Sequence, residues 1–577
     1  MSTSVRVETP MAPPAWAVME RELMRTVTAA CLEFYEKYFD DRGYLLCVPR
    51  WGGDDGPDDA IENLTGWPIL YALGGPEILL DMCNQAQDGH IQQYTEAKTV
   101  DVPFARDGMY YKEFPTMCDW LHNGESMSVF GSLGLCDHKD RDYQRRLRQW
   151  SALYMGEDSE APNYDPEHRI VRSLFTGSRG PMLRKATALD WAGDPIEENR
   201  FHLLHGERNY QEMLDHFKDY TDVVGDHPSN LVATSLGFDA FAATGEDKYR
   251  DWVIDYTNAW VERAESNNGI LPSNIGLDGT IGGACDGKWY GGCYGWGFTT
   301  TVPQNGELAH RNTVNLGIAG FGNAYLLTGD PKYPDTWRTM IDAINANSKV
   351  IDGETMYPRM YGDDGWYHYG PQPYATGALD VYYWSMEKQD RDRVHDHPWI
   401  SFLDGRNDNY PIEAMQHDFG TVRDRMSLVH NDPTTPDTRL SDNTNPYNPA
   451  TVGTLFQMIC GGPAPYRSQA VHSRFWYFDP EMRRPGLPDD VAVLVEELWA
   501  EDAVLSLVNL DQSEAREVIV QGGAYGEHSC DTVTVDGKEI SVEDNHFTVH
   551  LDPGAGCRMR VTMSRYANQP SFSSPWE

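Results

Sequence analysis

A helix–glycine–helix turn repeated along the chain, a set of further helical runs, and a late change to short β-branched runs predict a mainly α protein. The fold class is an (α/α)6 toroid barrel with a small C-terminal antiparallel β-domain. The turn occurs in Tyr71–Met82, Leu133–Leu147, Ala242–Tyr256 and Leu326–Ile341. Glycine there stops one helix at its C-terminal cap and a second helix starts directly behind it. In the last two copies Lys248–Tyr249 and Lys332–Tyr333 stand at matching offsets, where a tyrosine can pack between the two helices. Such hairpins cannot bury their inner faces alone, so they stack.

The other elements follow in chain order. From Ala15 to Phe39, residues Trp16, Met19, Leu23, Val27, Cys31 and Phe34 recur at helical steps and make one apolar stripe. Arg50–Asn63 reads as a solvated acidic loop with Asp54, Asp55, Asp58, Asp59 and Glu62, and calcium is the alternative because hard cations take several carboxylate oxygens. Further helical runs near Arg200–Tyr220, Asn230–Thr244, Arg311–Leu327, Pro373–Lys388, Asn409–Val429 and Pro449–Gly461 bring the total to roughly a dozen. After Arg484, valine and threonine alternate between turns such as Asp536–Gly537, the pattern of antiparallel strands. The expected organisation is an N-terminal arm (1–14), a barrel (15–487), a β-domain (488–565) and an unstructured or draped tail (566–577).

A dozen helices paired in hairpins resembles the toroidal carbohydrate-active enzymes, the glycoside hydrolases and polysaccharide lyases built on this barrel. The TGD-x-KY turn carries most of that resemblance, over residues from about 15 to 470, and implies scaffold more than chemistry. Composition bears on partners. Lys plus Arg minus Asp plus Glu is 47 − 88 = −41, a field that repels nucleic acid and anionic membranes. No stretch of about 18 apolar residues is present to span a bilayer. The N-terminus lacks the apolar core of a secretory signal, so a cytoplasmic location is expected. The ten cysteines form no CxxC pair, and Cys285 and Cys293 read as free thiols. Dinucleotide, P-loop and nucleophile-elbow motifs are missing, and no cofactor or metal is expected.

The stretch least like scaffold is Asp278–Phe298, with eight glycines, two tryptophans, two tyrosines and two aspartates and no regular period. Trp289, Tyr294 and Trp296 there are candidate sugar platforms, and Asp286 and Tyr290 candidate catalytic groups. Asp119, His122 and Glu125 stand at steps of three, which puts them on one face of a helix. Arg172, in the basic island around His168 and Arg169, is a candidate partner for a uronate carboxylate. Arg359, Tyr361, Asp364, Trp366, Tyr367 and His368 crowd a glycine-bounded turn ahead of a helix. Gln304, Asn305 and Arg311 lead from the aromatic stretch into the next helix and suit sugar hydroxyls.

These residues support an enzyme acting on an oligo- or polysaccharide. A hydrolase needs two carboxyl groups across the scissile bond, about 5–5.5 Å apart for retention or about 6.5–9.5 Å for inversion; Asp119, Glu125, Asp286 and Asp364 are the candidates. A lyase instead takes the proton beside a uronate carboxylate, with Tyr290, Tyr361, His122 or His368 as base and Arg359 as neutraliser. The charge balance favours hydrolysis. Two histidines facing one pocket, His122 and His368, would fit a sugar epimerase, and a non-catalytic glycan-binding protein is the remaining reading.

Overall fold

The protein was analysed as a computed structural model that describes residues 3–49, 56–97, 110–115, 120–160, 163–172, 225–292, 294–301, 307–466 and 468–577. The helical run expected near Arg200–Tyr220 lies outside these residues.

The first helix, α1 (Ala15–Tyr38), buries Leu23, Met24, Val27, Cys31, Phe34 and Tyr38, the stripe its sequence carries. Then come α2 (Pro57–Glu62), α3 (Trp67–Ala72), α4 (Ile78–Glu96), α5 (Trp120–Asp137) and α6 (Arg141–Tyr154). They are followed by α7 (Thr234–Thr244), α8 (Asp247–Ser266), α9 (Ile318–Thr328) and α10 (Lys332–Asn345). The helical part ends with α11 (Ala378–Ser385), α12 (Lys388–Arg393), α13 (Pro398–Leu403), α14 (Tyr410–Asn431) and α15 (Gly453–Cys460). From α7 to α10, short helices that are buried nearly all round alternate with longer helices that bury one stripe. Thus α7 and α9 are buried along almost their whole length, whereas α8 buries Tyr249, Trp252, Val253, Tyr256 and Trp260 on one side. Helix α7 packs on α6, α8 and α9, α9 packs on α8 and α10, and α1 closes against α14.

The repeated turn works as its chemistry requires at two copies. Gly245 (φ +69°) and Gly329 (φ +63°) take the left-handed conformation, and each N–H donates to the carbonyl four residues back, Phe241 O and Tyr325 O, at 2.7 Å. Tyr249 and Tyr333 are buried behind them, and the Tyr333 hydroxyl donates to Asn258 Oδ1 at 3.1 Å. The copy at Leu133–Leu147 differs: α5 runs straight through Gly134 to Asp137. Gly134 is there for close approach, because a Cβ on it would lie 2.4 Å from the Tyr143 hydroxyl and 2.5 Å from the Phe572 ring.

Strands begin earlier and later in the chain than the β-branched pattern alone indicates. The N-terminal arm contributes β1 (Ser4–Val7), whose Val5 and Val7 are buried while Ser4 and Arg6 face out, a period-two signal four residues long. A two-stranded antiparallel pair precedes α9, β2 (Thr299–Thr301) with β3 (Leu308–His310), and a three-stranded sheet precedes α11, β4 (Lys349–Ile351), β5 (Glu354–Gly362) and β6 (Gly365–Gly370). The C-terminal strands are β7 (Phe475–Asp479), β8 (Arg484–Pro485), β9 (Val491–Leu498), β10 (Asp502–Asn509), β11 (Arg516–Gly522), β12 (Ser529–Val535), β13 (Lys538–Asp544), β14 (His546–Leu551) and β15 (Gly556–Ser564). They form two five-stranded sheets, ordered β1–β14–β11–β7–β8 and β9–β10–β15–β12–β13. Strand β1 pairs parallel with β14, Ser4 opposite Thr548 and Val7 opposite Leu551, so the β-region takes in chain from both sides of the helical segment. Phe475–Asp479 is buried at every position, which is why an aromatic run with no alternation is a strand.

The tail is anchored. Phe572 N donates to Ala242 O at 3.0 Å, and the Trp576 ring lies 5.5 Å from that of Phe478. Tryptophan is also mostly core: Trp67, Trp120, Trp150, Trp260, Trp296, Trp337, Trp384, Trp399 and Trp476 are fully buried. No helix among the described residues is long and apolar enough to cross a membrane.

Gly134→Ala should destabilise the protein by about 1–3 kcal/mol, the usual cost of overpacking. Chemical denaturation of Gly134→Ala, Phe572→Leu and the double variant checks it: the double should cost less than the sum of the singles, since the clash is shared.

Candidate active site

The chain enters its short helices through constrained turns, and several of those entries converge on one pocket. Val232 comes from the 3-10 turn Pro228–Ala233 ahead of α7, and Asn315 and Leu316 from the turn Val314–Gly317 ahead of α9. Ile318 and Ala319 open α9, Leu379 and Asp380 lie in the first turn of α11, and Gln457 comes from α15. His397, Tyr466, Ser468 and Gln469 complete a cavity of about 300 Å3, at the lower end of the range for small-ligand sites.

Gly377 makes the entry of α11 possible. Its φ is +76°, and a Cβ would lie 2.4 Å from Trp337 Nε1 and 2.5 Å from Ile318 Cδ1. The Trp337 indole N–H donates to Thr376 O at 2.9 Å and fixes the turn from below. Asp380 follows three residues on, half-buried by exposed area. Burial pushes its carboxyl up to about 6, against the lowering effect of its own backbone N–H. His397 is held below its ordinary value by burial, and its Nδ1 has no hydrogen-bond partner among the described residues. Gln457 Oε1 accepts from the Tyr410 hydroxyl at 2.8 Å, which fixes the orientation of its amide. Among the described residues lining this pocket there is no Lys or Arg. The arrangement is one protonatable acid, one neutral imidazole and several neutral amides and hydroxyls.

The segments just before these helix entries carry most of the groups singled out in the sequence. The stretch expected as a turn ahead of a helix is the β5–β6 hairpin, with Asp363 and Asp364 at its tip between Gly362 and Gly365. It docks on the glycine-rich stretch, Tyr361 N donating to Trp296 O at 3.0 Å. The Tyr361 ring sits 4.8 Å from Trp289, 5.1 Å from Tyr290 and 5.0 Å from Trp366. The clamp is closed by Asp363, which accepts from the Tyr290 hydroxyl at 2.6 Å and pairs with Lys288 at 2.7 Å. Lys288, then Tyr290, holds that carboxyl below the usual carboxylate range. At a second corner the hydroxyls of Tyr367 and Thr299 are 2.6 Å apart, Thr299 Oγ1 is 2.9 Å from His310 Nδ1, and the His310 and His368 rings are 4.0 Å apart.

The structure therefore brings Trp289, Tyr290, Tyr361 and Trp366 together, and Tyr367 with His368. It does not place Trp296 or Tyr294 on the surface. Trp296 is fully buried and its indole donates to Leu271 O at 2.8 Å, so its ring is core and not a platform. Tyr294 is buried too, and its hydroxyl accepts from Arg311 at 2.9 Å, which occupies Arg311 as well. Arg359 braces its own hairpin through the carbonyls of Pro358 and Gln372. Asp286, Asp364 and His368 are exposed, Asp286 in a left-handed turn at φ +53°.

His122 and Glu125 are half-buried in the first turns of α5, next to Gly124, whose carbonyl accepts from the pocket residue Ser468. His122 and the exposed His368 lie on separate elements, α5 and β6, and no described pocket contains both. Arg172 lies 3.9 Å from Asp165, and its neighbour Arg169 pairs with Glu262. In the acidic stretch, Pro57–Glu62 is helix α2, Asp58 is buried, and Glu62 accepts from Asn445 at 3.1 Å. Asp119, Gln304, Asn305, Asp54, Asp55 and Cys293 lie outside the described residues. Sequence reasoning passed over Asp380, His397 and Gln457. The available signal was an acid in the first turn of the otherwise apolar, glycine-capped helix ALDVYYWS.

The model of a family described as a domain of unknown function, DUF8034, matches residues 4–357 and 392–456. The chain belongs to that family. No curated protein matches it. Among solved structures, this DUF8034 protein is similar to an inactive variant of the α-1,6-mannanase GH76A of Salegentibacter sp. in complex with α-1,6-mannotriose, at 11% identity over 76% of this chain and 99% of that one, TM-score 0.32. It is also similar to a glycoside hydrolase family 76 mannosidase from Bacteroides thetaiotaomicron, at 13% identity over 75% and 96%, TM-score 0.35. A third is the cellobiose 2-epimerase of Bacillus thermoamylovorans, at 12% identity over 62% and 96%, TM-score 0.27. Likenesses at these scores carry no weight for the fold or reaction of the DUF8034 chain.

Trp296→Ala should act on stability. A loss of about 3–5 kcal/mol is expected for deleting a buried indole, read as a lowered denaturation midpoint.

Proposed function

We propose that this protein is a carbohydrate-active enzyme that hydrolyses glycosidic bonds in an oligosaccharide, with the sugar held in the pocket around Asp380. In this reading six inner helices (α3, α5, α7, α9, α11 and α15) and six outer ones (α1, α4, α6, α8, α10 and α14) close an (α/α)6 toroid, and the pocket is its mouth. The alternation of all-round-buried and one-sided helices supports that ring.

One observation carries the reading: a carboxyl pushed up to about 6 by burial, in a cavity otherwise lined by neutral hydrogen-bonding groups. Glycoside hydrolysis needs an acid that still holds its proton near the working pH, and raised carboxyls supply it. Neutral amides, a hydroxyl and an imidazole suit sugar hydroxyls, and a pocket without a described cation suits a neutral sugar better than a uronate. In this assignment Asp380 protonates the departing oxygen, and His397, Asn315 and Gln457 orient the ring. Glu125, one residue past the Gly124 held by Ser468, is the proposed second carboxylate. The half-exposed rings of Trp289, Tyr361 and Trp366 would extend the binding surface along the loops that lead into the pocket.

The test is a screen of purified protein on neutral and uronate-containing oligosaccharides. Released reducing ends without ultraviolet absorbance of an unsaturated uronate are expected; absorbance rising with the reducing ends would mean elimination in place of hydrolysis, and the absence of both signals would overturn the reading altogether. Asp380→Asn should lower turnover by roughly a hundredfold or more. The pH dependence has a definite sign. The catalytic form of Asp380 is protonated, so kcat/KM should fall as pH rises through about 6, and the mutant should lose that limb. Because the folded pKa lies above the unfolded one, the same group makes folding stability decline between the ordinary carboxylate range and about 6 and stay level above it.

A further inference from the structure

Away from the pocket, at the other end of α11, the helical part meets the β-domain over a set of buried polar side chains that the reaction does not use. Arg474, in the segment entering β7, has no exposed surface. Its Nη1 donates to Trp499 O at 2.8 Å, but its Nε and Nη2 have no partner among the described residues. Arg565, half-buried just after β15, donates through Nη2 to the carbonyls of Tyr383 and Trp384 at 2.7 and 2.8 Å and to the Tyr566 hydroxyl at 3.1 Å, while its Nε has no partner among the described residues. His528, fully buried ahead of β12, accepts from Tyr566 N at its Nδ1 at 3.1 Å. That hydrogen bond assigns the ring proton to Nε2, which has no hydrogen-bond partner. The buried Tyr383 hydroxyl faces the Arg474 side chain, and the Arg565 guanidinium lies 6.0 Å from the Tyr383 ring.

These donors belong together electrostatically. The charge of Arg565 is felt at Arg474, His472 and His528, and Arg474 is in turn felt at His528 and Tyr383. Against two guanidinium groups stands one carboxyl, Glu527. Its Oε2 accepts from Tyr525 N at 2.9 Å, its Oε1 has no hydrogen-bond partner among the described residues and lies 3.8 Å from His528 Nε2, and burial pushes it up to about 8; even ionised, it would leave one of the two guanidinium groups unbalanced. Charge taken out of water without a counter-charge is strongly disfavoured. Water can fill the donors but cannot cancel the charge.

We propose that a small inorganic anion of the chloride class binds between α11 and the β-domain, held by Arg474, Arg565 and the Nε2–H of His528, with the Tyr383 hydroxyl as a further donor. The anion neutralises the two arginines and joins the β-domain to the helix whose first turn carries Asp380. The site is independent of the proposed reaction.

Two measurements on the full chain decide it. Crystals soaked in sodium bromide should show an anomalous peak bounded by Arg474, Arg565 and His528. Thermal melting at constant ionic strength, with gluconate exchanged for chloride, should show a saturable rise of about 2 °C or more, as expected for a ligand that binds only the folded state. A water molecule in place of the peak, or equal melting points in the two salts, overturns the proposal.

Discussion

The guanidinium of Arg565 rests on the last carbonyls of α11, and the position of the pocket depends on that contact. Helix α11 has only eight residues, about two turns, too few to hold itself by its own hydrogen bonds. It is fixed at both ends from outside. At its start Gly377 is pressed against Trp337 and Ile318. At its end the Trp384 carbonyl accepts from both Arg565 and the Tyr325 hydroxyl of α9, at 2.8 and 2.9 Å. A cation over the C-terminal carbonyls also matches the helix dipole. The β-domain therefore has a mechanical role, since one of its residues sets where Asp380 stands.

Local physics decides which parts of this fold can be read from the sequence. Gly245 and Gly329 are legible because a left-handed cap needs nothing beyond its own turn. Gly134 is not, because its reason is tertiary: the Tyr143 hydroxyl of the next helix and the ring of Phe572, more than four hundred positions away, both press on it. The long first helix is legible from its stripe, whereas β1 is a strand only because β14 offers it an edge. Short aromatic runs mislead in the same way: YPRMYGDDGWYHYG reads as a turn, and it becomes a hairpin through cross-strand pairs such as Tyr361–Trp366.

The site divides along the same line. Composition picked out Trp289, Tyr290, Tyr361 and Trp366, and the fold collects them by docking a hairpin on a glycine-rich stretch. The same reasoning failed for Trp296, because a tryptophan among glycines looks exposed and the glycines in fact let Ser273 and Leu271 come close enough to bury it. Asp380 was overlooked since a single acid in an apolar helix carries no pattern. What marks it is its surroundings, and those come from four other segments of the chain.

Arginine shows most clearly how tertiary context redirects a residue. In a chain with 88 acidic side chains, the ordinary expectation is that arginines pair with carboxylates. Several also sit on backbone carbonyls: Arg484 on Tyr71 and Gly75, Arg425 on Asn448, Arg359 on Pro358 and Gln372, and, beside their carboxylate partners Asp432 and Asp226, Arg439 on Leu46 and Thr434 and Arg263 on His168 and Arg169. A planar fork with five donors can close the loose ends of two segments at once, which lysine cannot do. This use takes Arg359 out of the role of carboxylate neutraliser and keeps cations out of the described lining around Asp380. No cation there offsets burial, which raises the Asp380 carboxyl to about 6 against only the pull of its own backbone N–H.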